Sequence, residues 1–187
     1  MIADSRLAQI ARRREAPALE RCELCGAAIG AGHRHLLEPE SRGLLCACRP
    51  CALLFERGGR YRLVPERRTR LAESELSDLD WEELRLPVDI AFFVHNSAAG
   101  RDMAFYPGPM GATESQLPLR LGVLRTIQPD VEALLADRHL GAREHWIVPI
   151  DDCFRLVGIV RTHWRGLTGG KEVWAEIGRF FDGLERR

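Results

Sequence analysis

The chain has 187 residues, 45% of them hydrophobic and 29% charged, with 27 basic residues balanced by 27 acidic ones. That length suits one well-buried domain or a small module joined to a medium one, and the composition excludes a disordered or low-complexity chain. No run of about 18 uncharged apolar residues occurs, and the first residues lack the apolar centre of a signal peptide, so no membrane span and a cytoplasmic location are expected.

The neutral total conceals an asymmetry. Residues 1–70 carry 14 Arg against 8 acidic residues, while residues 71–187 carry 13 basic against 19 acidic. A basic excess of this kind reads as a solvated face, because nucleic-acid binders concentrate their cations more strongly.

Asp4 and Ser5 precede Leu7, Ala8, Ile10 and Ala11 at helical spacing, with Arg12, Arg13 and Arg14 following and Pro17 beyond, so residues 1–19 are expected to hold an N-terminal helix. Residues 20–60 form a cysteine-rich module in which the apolar run Ala52, Leu53, Leu54 and Phe55 suits a helix starting just after Cys51. The charged stretch that follows reads as a connection, then a short helix begun near Ser77 or Asp78 and carrying Leu76, Leu79, Trp81 and Leu84.

Residues 88–95 and 103–106 are apolar around the turn-forming 96–100, which predicts a β-hairpin. Residues 106–115, rich in Gly and Pro, read as a loop capped by Thr113 and Ser115. Residues 129–138 predict a helix with proline in its first turn, and residues 145–150 a third strand. Asp151 and Asp152 are placed to cap a helix bearing Phe154, Val157, Ile159 and Val160, and residues 171–184 predict a last helix with Val173, Trp174, Ile177, Phe180, Phe181 and Leu184 on one face. The expected fold class is α+β: a small treble-clef or zinc-ribbon-like module at 20–60, then an α+β domain at 61–187 with a small antiparallel sheet and packed helices.

Five of the six cysteines lie between positions 22 and 51, a density that a reducing compartment explains by metal binding rather than by disulfides. Cys22 and Cys25 are separated by two residues, as are Cys48 and Cys51, and Gly26 gives the first pair the backbone freedom of a tight turn. Two such pairs predict one tetrahedral site of four thiolates, the second pair sitting at a helix start where amide dipoles favour thiolates. Four thiolates suit zinc, the preferred reading, and also a rubredoxin-like iron or an iron-sulfur cluster.

Cys46, His33 and His35 are secondary candidates. The histidines fall on alternate positions before Leu36, which puts both on one side of a strand as alternative ligands or a second metal site, and Cys46 stands as a spare thiol. Cys153, alone in the second half, reads as a buried core residue. The dipeptides His145-Trp146 and His163-Trp164, with Asp151 and Asp152, offer an acid and a base without a nucleophile marked by spacing, which does not amount to a catalytic set.

Gly32-His33-Arg34-His35, followed by Arg42-Gly43-Leu44-Leu45-Cys46, resembles the histidine-bearing hairpin of HNH endonucleases of the endonuclease VII type. That resemblance implies a catalytic divalent ion held by the hairpin and by an asparagine on the helix, yet Gly32 and Ala52 stand where the acidic residue and the asparagine belong. Over nearly its whole length the chain also resembles an uncharacterised bacterial family, through residues 22–26, 33–36, 44–55, 106–115 and 163–166. Members of that family are encoded beside uptake nickel-iron hydrogenases, which implies an accessory role in hydrogenase maturation or electron delivery.

The expected function is therefore a zinc-binding accessory protein that docks on a protein partner, a hydrogenase subunit or maturation factor, rather than an enzyme. The alternatives are an electron-transfer module with iron or an iron-sulfur cluster, and a degenerate HNH-type nuclease or nucleic-acid binder.

Overall fold

The computed structural model describes residues 20–56, 59–72, 76–118 and 120–185, so the helix expected within residues 1–19 lies outside the described residues. A first, three-stranded sheet is built from β1 (Arg34–Glu38), β2 (Gly43–Ala47) and β3 (Arg62–Leu63), in the order β2-β1-β3, with helix α1 (Arg49–Phe55) between β2 and β3. The remaining strands are β4 (Thr69–Arg70), β5 (Ile90–Asn96), β6 (Arg101–Gly108), β7 (Gly111–Ser115), β8 (Glu132–Asp137) and β9 (Glu144–Pro149). They form one six-stranded sheet in the order β4-β9-β8-β5-β6-β7, antiparallel at every pairing. The fold class is α+β, as the sequence predicts, with a larger sheet than expected.

Helices cover both faces of the large sheet. Helix α2 (Asp78–Leu84) begins with a capping box, in which Ser77 accepts from the Asp80 amide and Asp80 accepts back from the Ser77 amide. With Leu76, Leu121, Val123, Leu124 and Ile127 it covers the face that presents Ala91, Phe93, Leu134 and Ala136. Leu79, expected on the inner side, points outward. Helices α3 (Ile150–His163) and α4 (Gly170–Glu185) cover the opposite face, burying Cys153, Leu156, Val160, Val173, Ile177 and Phe181 against Phe92, Val94, Leu135 and Val148. Gly169 joins these two helices at φ +86°, where an added Cβ would lie 2.8 Å from Val173.

Two expectations are corrected. Residues 129–138 form strand β8 in the middle of the sheet, not a helix. It lies between β5 and β9 with packed layers on both faces, so Ala133, Leu134, Leu135 and Ala136 are all fully buried, and a strand with no polar face has no alternation to distinguish it from a buried helix. Residues 106–115 are not a loop: β6 runs through Gly108 and pairs with β7 from Ala104↔Ser115 to Gly108↔Gly111, closing on a turn at Pro109 and Met110. Pro107 is tolerated inside β6, contrary to its usual reading as a breaker.

The two sheets share one core, for Leu37 of β1 and Val64 after β3 lie among the buried side chains beneath α3 and α4. Three carboxylates are buried among the described residues, and each meets an arginine of β3 or of the segment that follows it. Arg62 reaches Asp130 at 3.2 Å, Arg67 grips Glu132 through two hydrogen bonds of 3.0 and 2.9 Å, and Arg68 reaches Asp152 at 2.6 Å. Removing one partner of such a pair strands the other charge in low dielectric.

Arg67→Ala is accordingly expected to cost about 3 kcal/mol of unfolding free energy in urea titrations. Adding Glu132→Gln should recover most of that loss, since the stranded charge is then gone.

Candidate metal centre

The first cysteine pair is held by a tight turn. The Gly26 amide donates to the Cys22 carbonyl at 2.8 Å, the Cys22 amide to the Ala27 carbonyl at 2.8 Å, and Gly26 adopts φ +74°, a left-handed conformation that favours glycine. Arg21 closes the turn from outside by donating to the Gly26 carbonyl at 2.9 Å. The second pair sits at the start of α1: Cys48 is the extended cap residue, Pro50 occupies the first turn, and Cys51 follows. Turn, hairpin and helix thus follow one another in the order compatible with a treble-clef or zinc-ribbon-like module.

These elements bring four thiols to one point. The Sγ atoms of Cys22, Cys25, Cys48 and Cys51 all lie within 4.8 Å of one another, and those of Cys25 and Cys48 are 3.7 Å apart. All four are free thiols. A tetrahedral ion with metal–sulfur bonds of about 2.3 Å spaces its sulfurs by about 3.8 Å, and the 3.7 Å between Cys25 and Cys48 matches that spacing.

The electrostatics of the group are those of acids sharing too small a space. Burial opposes ionisation of Cys22, but amides of Cys48, Leu24 and Cys25 and the Cys25 thiol all point hydrogen bonds at it and bring it down to about 6. Cys51 is pushed the other way, to about 12, by its contact with the Cys48 thiol, by burial and by the charge of Cys22. At Cys25 the Ala27 amide favours the thiolate, but Cys22 and Cys48 outweigh it and leave the group raised. Four thiolates cannot coexist here without a cation between them.

The apolar shell around the thiols is thin. Its buried members are Cys22, Ile29 and Cys51, and the adjoining cluster adds Leu36, Ala47 and Ala52. So small a core contributes little by burial alone, and a metal ion bound by the four thiols would add to it.

Residues 21–187 match the model of a family of unknown function, DUF5947. The chain belongs to that family. The DUF5947 match spans both sheets and includes all six cysteines. No curated protein and no solved structure matches the chain.

The secondary candidates of this DUF5947 chain gather apart from the four cysteines. His33, His35 and Cys46 form their own group with ligand atoms within 4.8 Å of one another. Sequence reading missed Glu23, whose carboxylate accepts the Cys46 amide at 2.5 Å, and Asp151, whose carboxylate accepts His35 Nδ1–H at 2.8 Å. The acidic doublet was legible as a helix cap and as an acid beside His145 and His163, not as the partner of His35. Asp151, Asp152, His145 and His163 do not converge: Asp152 faces Arg68, His163 faces Glu172 at 3.1 Å, and His145 lies 3.3 Å from Arg138. Cys153 is fully buried, and burial with the charges of Asp152 and Asp151 raises its thiol well above the ordinary range. No helix among the described residues is long and apolar enough to cross a membrane.

Gly26→Ala is expected to lower stability by about 1 kcal/mol in equilibrium unfolding, because alanine resists the left-handed conformation there. Gly26→Asn should cost less, since asparagine tolerates that region.

Proposed function

We propose that this protein is a metal-stabilised accessory protein, in which Cys22, Cys25, Cys48 and Cys51 hold a structural zinc ion and the α+β domain presents a docking surface to a protein partner. The observation that carries the reading is the 3.7 Å spacing between Cys25 and Cys48, one from each pair, inside a tetrad spanning no more than 4.8 Å. When bound, the ion supplies the positive charge that lets four crowded thiolates coexist, and in small modules such binding contributes about 10 to 16 kcal/mol to folding. The metal-dependent unit spans residues 20–60, with β3 completing its sheet, and residues 61–187 form the second unit.

Two observations support a binding role over nucleic-acid cleavage. Ala52, standing where an HNH enzyme would carry its asparagine, is 2% exposed and packed with Leu36 and Ala47. Leu53 and Leu54 instead face outward from α1, 60% and 72% exposed, beside the cysteine centre. The resemblance to a family encoded beside uptake nickel-iron hydrogenases makes a hydrogenase subunit or maturation factor the partner proposed, in the cytoplasm.

Elemental analysis and an absorption spectrum test the metal. Colourless protein with zinc is expected, and Cys25→Ser should lose the ion of the tetrad and expose residues 20–60 to protease. Iron with visible charge-transfer bands would replace zinc by a rubredoxin-like or iron-sulfur centre, and full metal retention in Cys25→Ser would overturn the tetrad. Co-purification with tagged hydrogenase subunits and maturation factors, reduced by Leu53→Glu with Leu54→Glu, tests the partner.

A further inference from the structure

His33, His35 and Cys46 come together by the geometry of the hairpin. His33 and His35 are two positions apart and so share a face, and Cys46 is the direct cross-strand partner of His35 in the β1–β2 register. The two imidazoles meet edge to face with centroids 4.7 Å apart, and the ligand atoms of all three residues lie within 4.8 Å of one another.

The hydrogen bonds decide which nitrogens are available. His33 Nδ1 lies 2.9 Å from the Gly30 carbonyl and 3.2 Å from the Glu20 carboxylate, both of which only accept, so Nδ1 carries the proton and Nε2 carries the lone pair. The His33 side chain is 8% exposed, and its Nε2 is buried with no hydrogen-bond partner. A buried acceptor left in that state costs free energy unless something occupies it. His35 follows the same logic: Asp151 holds its Nδ1–H at 2.8 Å and leaves Nε2 to coordinate. A carboxylate behind a histidine is the arrangement that orients and strengthens a metal-bound imidazole.

We propose that His33, His35 and Cys46 form a second metal site, distinct from the four-cysteine centre, for a borderline divalent ion of the late first transition row. Two imidazoles and one thiolate match the donor preferences of zinc, cobalt, nickel and copper, and exclude magnesium and calcium, which take oxygen. No fourth His, Cys, Asp or Glu joins the group among the described residues. The fourth position is therefore left to water or an exchangeable ligand, the pattern of a working rather than a purely structural site. Both histidines also line a cleft shared with Arg34, Glu66, Arg68 and Asp151.

The surroundings favour a cation: the Glu23 carboxylate accepts the Cys46 amide at 2.5 Å, and the Glu20 carboxylate lies 3.2 Å from His33 Nδ1.

Cobalt(II) is the probe. Reduced, metal-free protein titrated with cobalt(II) should take up two equivalents, the second with the weaker charge-transfer absorption of one thiolate rather than four. His35→Ala and Cys46→Ser should each take up one equivalent and keep the four-thiolate spectrum. Asp151→Ala, which leaves all three ligands in place, should bind the second equivalent about 10- to 100-fold more weakly and the first unchanged. A single equivalent in the parent protein that His35→Ala and Cys46→Ser both retain, or two retained at full affinity in those variants, overturns the site. The two centres are separable: an equivalent lost in Cys25→Ser but none in His35→Ala leaves only the four-cysteine reading standing, and the converse leaves only this one.

Discussion

Three buried carboxylates make the connection between the two sheets obligatory. Asp130, Glu132 and Asp152 sit 0 to 7% exposed on the larger unit, and the arginines that neutralise them, Arg62, Arg67 and Arg68, all belong to the short segment that follows the cysteine module. An ionised carboxylate in such surroundings is tolerated only with a partner, so the segment cannot swing away without taking Arg62 from Asp130 and Arg67 from Glu132 and leaving Asp152 to Arg155, 3.2 Å away. The module is thereby clamped against the large sheet, with Leu37 and Val64 sunk into the common core. This clamp also brings Asp151, at the start of α3, within hydrogen-bond reach of His35.

The cysteine module follows a different energetic rule. Its own buried surface is slight, and its thiols oppose one another, Cys22 drawn down to about 6 while Cys51 is pushed up to about 12. Apolar burial holds the large unit, as the layers on both faces of β5 and β8 attest. In the small unit, on the function proposed above, the same task falls to charge brought together around a cation. The arginine segment is where the two sheets are made to share one geometry.

The local features were legible in the amino-acid sequence because their chemistry repeats at short range. Paired cysteines two residues apart, the Ser77 capping box and the apolar face of the last helix each reveal themselves within a few residues. Strand β8 did not, since a strand buried on both faces presents the same unbroken apolar run as a buried helix. The arginines of the linking segment looked like a solvated charged stretch, because their carboxylates lie 65 to 84 positions away for Arg67 and Arg68. The histidine pair was placed on one side of a strand from its spacing alone. That Cys46 stands opposite and Asp151 behind depends on strand register and on a contact spanning 116 positions, neither of which spacing encodes.

The hairpin register dictates where this chain can change in length. His35 faces Cys46 only because the turn after Glu38 is closed at one setting, with Arg42 at φ +57° and its amide donating to the Glu38 carbonyl at 2.8 Å. One residue inserted in that turn would set Leu45 or Ala47 opposite His35 and send the sulfur to the other side of the sheet. The turn between β6 and β7 carries no such obligation: Met110 at its tip is 92% exposed and β7 is the outermost strand. Insertions and deletions among related chains should therefore accumulate at the tip of the large sheet and be absent from the turn of the small one.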